Sequence, residues 1–445
     1  MTNPSASGSS PQQSTGSSRR SFLKTAAVST AALSATGSLS ALHAAGSVHG
    51  GAGEPLKIGL IGCGGRGTGA ARQALAASKE NILWAMGDAF ENRLQGSYEG
   101  LEEALEGSGN PNQIQVAPER RFVGLDCADQ VLATGVDVVL LASPPGFRPM
   151  QIEKAVNKGV HVFAEKPVAT DAPGLHRVRK ACDKAQQMGT TVVSGLCYRY
   201  HDGRRAVVDQ LHQGAVGEIL AIQGNYITGE LWLHQRRPDW SELENQLRNW
   251  LYYTWLSGDL IAEQHIHTLD MMAWIKQDVY PESCYSLGGR QKRTDPKYGQ
   301  IFDHFATVYE WADGTRGFSY CRQQSGCFRN VNEYVMGTDG KAEIFKHQIT
   351  GKNNWKADMK MRDMYQAEHD EMFAAIRAGK PINNGEYMCN STAMAMMGRM
   401  AAYTGKKITW DQAWASREVL VPEQLSWDME MPEVEVAVPG ITKFI

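Results

Sequence analysis

No stretch of the chain reaches the roughly 18 consecutive apolar residues that a membrane-spanning helix needs, so the sequence reads as that of a soluble protein. An excess of positive charge is missing too. Lys and Arg number 45 against 48 Asp and Glu, a formal net charge of −3; with no basic field to hold a polyanion, nucleic acid is excluded as a partner. The eight cysteines show no Cys-x-x-Cys spacing. Cys321 and Cys327 are near enough in sequence to pair, but buried small apolar side chains are the favoured reading. No internal repeat occurs. What remains is a globular composition, 42% hydrophobic and 21% charged over 445 residues, long enough for about two or three domains.

The first 46 residues differ in kind. Ser18-Arg19-Arg20-Ser21-Phe22-Leu23-Lys24 is followed by the mildly apolar run Thr25 to Leu42 and by small residues around Ala44-Ala45-Gly46. A charged start, a weak apolar stretch and a cleavage region follow in the order of an export signal, and the arginine pair resembles the twin-arginine type. The expectation is a signal peptide over 1–46, a linker over 47–54 and a periplasmic or otherwise exported protein that crosses already folded.

After the linker, short apolar runs alternate with amphipathic stretches. Lys57 to Gly62, Asn81 to Asp88, Val136 to Ser143, His161 to Ala164 and Thr190 to Gly195 read as buried strands; Thr68 to Ala77, Arg93 to Leu105, Pro149 to Lys158 and Pro173 to Met188 read as helices. That alternation predicts a parallel sheet covered on both faces. Past residue 200, two-residue periodicity takes over. Asp313-Gly314 sits between Asp303–Trp311 and Arg316–Arg322, and Asp339-Gly340 between Glu333–Met336 and Ala342–Lys346, both read as tight hairpin turns with positive φ. Helices are expected at Gly258 to Ile275, Arg362 to Ala378 and Cys389 to Thr404. The fold class is α/β: an N-terminal Rossmann domain over 55–198 and a C-terminal α/β domain over 199–445 with an open, mainly antiparallel sheet.

Gly62-Cys63-Gly64-Gly65-Arg66-Gly67 lies between the first strand and first helix, the context a dinucleotide loop requires: glycines for the turn, for close approach of a diphosphate and for helix packing. Amides at the helix start face the phosphates. Asp88 ends the second strand, where it can accept hydrogen bonds from a ribose, favouring NAD over NADP; Arg93 is near enough to meet a 2′-phosphate instead. Ser143 and Pro144 close the fourth strand at the same edge.

Glu165-Lys166-Pro167 ends the next strand, and Lys166 there can polarise a substrate hydroxyl. In Gly258 to Asp270, a continuous helix would set Glu263, His267 and Asp270 on one face and turn His265 away. An imidazole between two carboxylates would have a fixed tautomer and raised basicity. Helical spacing puts His265 opposite the other ligand types, which argues against a metal site. Trp232, His234, Arg236, Arg237, Trp240, Trp250, Tyr252 and Tyr253 suit saccharide stacking or a subunit interface equally.

These motifs resemble the Gfo/Idh/MocA family, oxidoreductases related to glucose-fructose oxidoreductase and inositol dehydrogenase. The resemblance extends from residue 54 onward and includes Gly195-Leu196-Cys197-Tyr198-Arg199 and the stretch from Glu368-His369 to Thr404-Gly405. It implies Lys166 and His267 as the catalytic pair with Glu263 beside them, cofactor contacts from Gly62, Gly64, Gly65, Arg66, Gly67, Asp88, Ser143, Pro144, Glu165 and Lys166, substrate contacts from Arg199, His265 and Asp270, and a homo-oligomer, dimer or tetramer. The chain departs from the family in having Glu263 for Asp, His265 for Gly, and Phe147-Arg148 for a histidine. The expected activity is NAD(P)-dependent hydride transfer on a sugar, polyol or related compound. Two alternatives stand beside it: a redox-neutral glycoside hydrolase or lyase with tightly bound cofactor, and a non-catalytic ligand-binding protein.

Overall fold

The computed structural model describes residues 54–107 and 109–445. The expected leader over 1–46 and linker residues 47–53 lie outside the described residues. From residue 56 the chain alternates strand and helix: β1 (Leu56–Ile61), α1 (Gly65–Ala76), β2 (Asn81–Asp88), α2 (Glu91–Gly107), β3 (Arg121–Val123), α3 (Cys127–Ala133), β4 (Val138–Leu141), α4 (Arg148–Asn157), β5 (His161–Ala164), α5 (Ala172–Met188) and β6 (Val192–Ser194). The six strands pair in the order β3-β2-β1-β4-β5-β6, all parallel. That order reverses direction between β1 and β4, the crevice where sheets of this kind bind ligands. The runs are almost wholly buried, as a doubly covered sheet demands. Local chemistry sets the boundaries. Asp171 caps α5 by accepting from the Gly174 amide at 2.8 Å, Pro173 occupies its first turn, and Gly189 ends it at φ 69°.

The second part contains α6 (Asp202–His212), β7 (Ile219–Thr228), α7 (Glu242–Arg248), α8 (Thr254–Ser257), α9 (Leu260–Glu263), α10 (Ile266–Ile275), β8 (Ser283–Gly289), β9 (His304–Glu310), β10 (Arg316–Gln323), β11 (Asn330–Gly337), β12 (Gly340–Glu343), β13 (Gln348–Gly351), β14 (Trp355–Lys356), α11 (Met364–Arg377), α12 (Gly385–Thr404), β15 (Ile408–Thr409) and α13 (Trp410–Ala415). Its sheet runs β14-β13-β12-β11-β7-β10-β9-β8-β15, antiparallel except for β7 beside β10. Helix α12, buried on nearly every side, fills the space against α5, α9, α10 and β8. Among the described residues no helix is long and apolar enough to cross a membrane.

Two sequence readings change. The first hairpin turn forms as expected, with Gly314 at φ 85°. In the second the loop falls on Thr338 and Asp339, and Gly340 opens β12, where a Cβ would lie 2.6 Å from the Thr350 carbonyl oxygen of β13. The expected helix from 258 to 275 is broken at Gln264-His265. The cause is long-range: the Glu263 carbonyl, which a continuous helix would bond to the His267 amide, accepts from the Lys166 ammonium. Cys321 is buried, Cys327 is exposed, and neither is in a disulfide.

Candidate active site

The glycine loop builds the floor. Gly62 turns the chain at φ 92°, and Gly67 packs so closely that a Cβ would lie 1.9 Å from the Gly62 carbonyl oxygen. No atom lies within 4 Å of where Gly64 or Gly65 would carry a Cβ, and Gly64 offers α1 no side-chain cap. The result is an open cradle of uncapped helix amides, which fits a diphosphate. It opens into a cavity of about 510 Å³, in the size range of cofactor sites. Gly62, Gly64, Gly65, Arg66, Gly67, Asp88, Ser143 and Pro144 all line it.

Asp88 is anchored from two sides. One carboxylate oxygen accepts from the Cys63 amide at 2.6 Å and the other from the Phe90 amide at 2.9 Å, so it fastens the glycine loop to the end of β2. Burial raises its pKa, against the pull of those amides. Phe147-Arg148, the departure from the family pattern, braces the loop after β4: Arg148 donates to the Ser143 carbonyl at 2.8 Å and to the Pro167 carbonyl.

The far wall comes from the second part of the chain. Trp232, His234, Leu247, Arg248 and Trp250 line the same cavity. Arg93 meets His234 at 3.1 Å, the Arg248 guanidinium lies 3.9 Å over the Phe90 ring, and Phe90 also packs on Trp427 with ring centroids 5.7 Å apart. The aromatic segment whose composition suited saccharide or interface alike thus supplies Trp232, His234 and Trp250 to the cleft. Phe90, Leu125, Arg248 and Trp427 were missed, because nothing in their local sequence points across the molecule.

Glu165 and Lys166 stand just beyond the cavity. Glu165 is ion-paired at 3.1 Å with Arg66 of the glycine loop. Lys166 turns to Glu263, binding its carbonyl and, at 3.1 Å, its carboxylate. Burial alone would lower the Lys166 pKa, but Glu263 and Glu165 raise it above the ordinary lysine value. His267 is also close, and its pKa is lowered well below the usual histidine range by burial, then by Lys166 and Arg204.

The expected imidazole between two carboxylates is not what forms. His267 Nδ1 is buried without a partner, and the ring stacks on Tyr198, centroids 4.7 Å apart and 27° between planes. The helix break detaches Glu263 from the face of His267, and Asp270 is taken by Arg199 at 2.8 Å and by Ser391 at 2.8 Å. Basicity is therefore lowered rather than raised. His265, as expected, turns away; it is fully buried and meets Ser319 Oγ at 2.5 Å. Arg199, His265 and Asp270 do not line the cavity.

The model of the GFO_IDH_MocA oxidoreductase family, NAD-binding Rossmann fold, matches residues 56–193, the whole of the parallel sheet but its last residue. Over those residues the chain is similar to that family. A 2,7-anhydro-N-acetylneuraminate hydratase of Escherichia coli K12 is 25% identical over 243 residues, 54% of this chain and 60% of its own. An inositol 2-dehydrogenase/D-chiro-inositol 3-dehydrogenase of Lacticaseibacillus casei is 26% identical over 146 residues, 33% of this chain and 36% of its own. The chain thus spans less than two thirds of the length of either relative. Two solved structures share the fold: an oxidoreductase of Thermotoga maritima, TM-score 0.60 at 21% identity over 81% of this chain and all of its own, and a levoglucosan dehydrogenase with NADH and levoglucosan, TM-score 0.61 at 15% identity over 80% and 99%.

Proposed function

We propose that the protein binds NAD in the glycine-loop cleft and oxidises a hydroxyl of a sugar, polyol or related compound. The observation that carries this reading is the Lys166–Glu263 pair at 3.1 Å, its ammonium near enough to His267 to act on its charge, one residue beyond Glu165, whose partner Arg66 lines the cleft. Bound there, the nicotinamide supplies the hydride acceptor. The Lys166 ammonium, steadied by Glu263, donates to the substrate oxygen and stabilises its developing charge. His267, neutral in its buried setting, takes the hydroxyl proton. NAD is preferred to NADP because a 2′-phosphate would meet the Asp88 carboxylate, while Arg93 is engaged by His234. With NAD and a panel of inositols and aldoses, absorbance at the reduced nicotinamide band rises. Lys166→Met and His267→Gln each slow it about 10²- to 10⁴-fold. Full rates in both variants would end the assignment, and a failure to turn over any of the panel while still binding a dinucleotide would favour the ligand-binding alternative.

A second reading is favoured by the relative named a hydratase and by the cleft wall that the second part of the chain contributes. In it the oxidation is transient, a glycosidic or ether bond is eliminated or hydrolysed, and the hydride returns, so that product accumulates with no net change in the nicotinamide band. We propose export through residues 1–46 as well, tested by the N-terminal sequence of the mature protein. A homo-oligomer is proposed on the exposed Tyr285, Leu287 and Tyr320 of the antiparallel sheet, tested by Leu287→Arg in light scattering.

A further inference from the structure

Close to the candidate base lies a buried charge pair with no part in the proton transfer. Arg204 on α6 and Glu333 on β11 meet at 3.1 Å, their side chains 4% and 0% exposed. A buried pair adds little net stability over well-packed apolar residues, so its placement needs another account. The Arg204 guanidinium lies 3.7 Å over the Tyr198 ring, and the Tyr198 ring stacks on His267 at 4.7 Å. Glu333 also accepts at 3.0 Å from Thr268, the residue after His267. One carboxylate thus reaches one imidazole by two routes: through the stacked planes of Arg204 and Tyr198, and through the backbone of α10.

We propose that Arg204 and Glu333, acting through Tyr198, are positioning residues that fix the plane of the His267 imidazole. The inference rests on the reading of His267 as proton acceptor. An imidazole whose Nδ1 has no hydrogen-bond partner cannot be aligned the usual way, by a carboxylate or carbonyl on the second nitrogen; stacking between flat groups does that work here. The guanidinium adds to Lys166 in disfavouring the imidazolium, after burial itself. The ionisable groups on the elements around His267 are Lys166 after β5, Tyr198 after β6, Arg204 on α6, Tyr226 on β7, Glu263 on α9 and Glu333 on β11; α12 meets α10 through Ser391 and Asp270. Arg204 is a cation that reaches His267 through an intervening ring rather than through the site itself.

The test is histidine titration by NMR on the full chain labelled at Cε1, with NAD added and the His267 signal assigned by its loss in His267→Gln. Arg204→Met alone would strand a buried carboxylate, so it is paired with Glu333→Gln, whose Oε1 still accepts from Thr268. The expected result is an upward move of the His267 midpoint and of the acid limb of kcat/KM by about one pH unit, with about a tenfold fall in plateau kcat from the loosened ring. Arg204→Lys, which keeps the charge without the planar stack, holds the midpoint near that of the parent and loses plateau kcat. Tyr198→Leu, neutral and independent of the ion pair, lowers plateau kcat in the same way. An unmoved midpoint and plateau in the folded paired variant overturn the positioning role alone. Unimpaired turnover in His267→Gln overturns both the acceptor reading and the positioning built on it.

Discussion

At the level of single side chains, the site holds a cation and a neutral imidazole side by side, and burial has opposite outcomes for the two. Lys166 keeps its charge because Glu263 and Glu165 outweigh its desolvation; His267 has no anion of its own, so burial, Lys166 and Arg204 all act against protonation. The expected pH profile of kcat/KM is therefore flat through neutrality, its acid limb well below about 6.5, the ordinary histidine value, and no loss from lysine deprotonation below about 10. An acid limb at or above that histidine value would exclude His267 as the titrating base. His265 bears on stability instead. Its folded pKa is lowered to about 3 by burial, so it contributes stability that is present above the unfolded value near 6.5 and is lost as pH falls toward 3, about 1.4 kcal/mol per pH unit in that window. Urea unfolding of His265→Gln, compared with the parent between pH 7 and 5, should show a shallower decline. Of the candidate site, Lys166, Glu263 and His267 were singled out from motif and spacing, and the structure brings Lys166 to Glu263. Their electrostatics were not legible, because Arg204 and Tyr198 reach His267 only once α6 and the turn after β6 are folded.

At the level of elements, the glycine loop and the α9–α10 break show the two limits of reading a sequence. The loop is set by contacts a few residues apart, Gly67 against Gly62 and Asp88 against the Cys63 amide, and its glycine spacing declares it. The break is made by a lysine 97 residues away, so helical periodicity continued straight through it and put Glu263 on the face of His267 and Asp270, whereas the structure turns Asp270 to Arg199. The hairpin at Thr338-Asp339 was misplaced for the same kind of reason: Gly340 answers to β13, not to its own turn. Gly67→Ala follows from the loop. A Cβ at 1.9 Å from a backbone oxygen forces the start of α1 away from β1, so dinucleotide affinity should fall at least about tenfold, roughly 1.4 kcal/mol or more, while the far-ultraviolet circular dichroism is kept. Calorimetric titration with NAD measures it; unchanged affinity would mean that the amides of this loop do not hold the diphosphate.

Across the whole molecule, the cleft is a joint between the two sheets' surroundings. Its floor is the glycine loop, but Trp232, His234, Arg248 and Trp250 close it from residues more than 140 positions later, and the chain beyond α13 returns to place Trp427 on Phe90. A dinucleotide held there touches both parts. Its binding should therefore stabilise the protein as one cooperative unit, by about 2.7 kcal/mol at a hundred times Kd. Release should require the wall to move. Trp232→Ala removes a lining ring and Trp427→Ala a support behind Phe90; each is expected to speed dissociation of NADH about fivefold, an aromatic contact of roughly 1 kcal/mol, read by stopped-flow fluorescence after displacement with NAD. The two changes touch different parts of one wall that shares Phe90, so the double variant should lose less than the sum of the singles. Strict additivity would mean that the returning chain and the aromatic segment close the cleft independently, and no change in either single variant would leave the glycine loop as the sole determinant of cofactor residence.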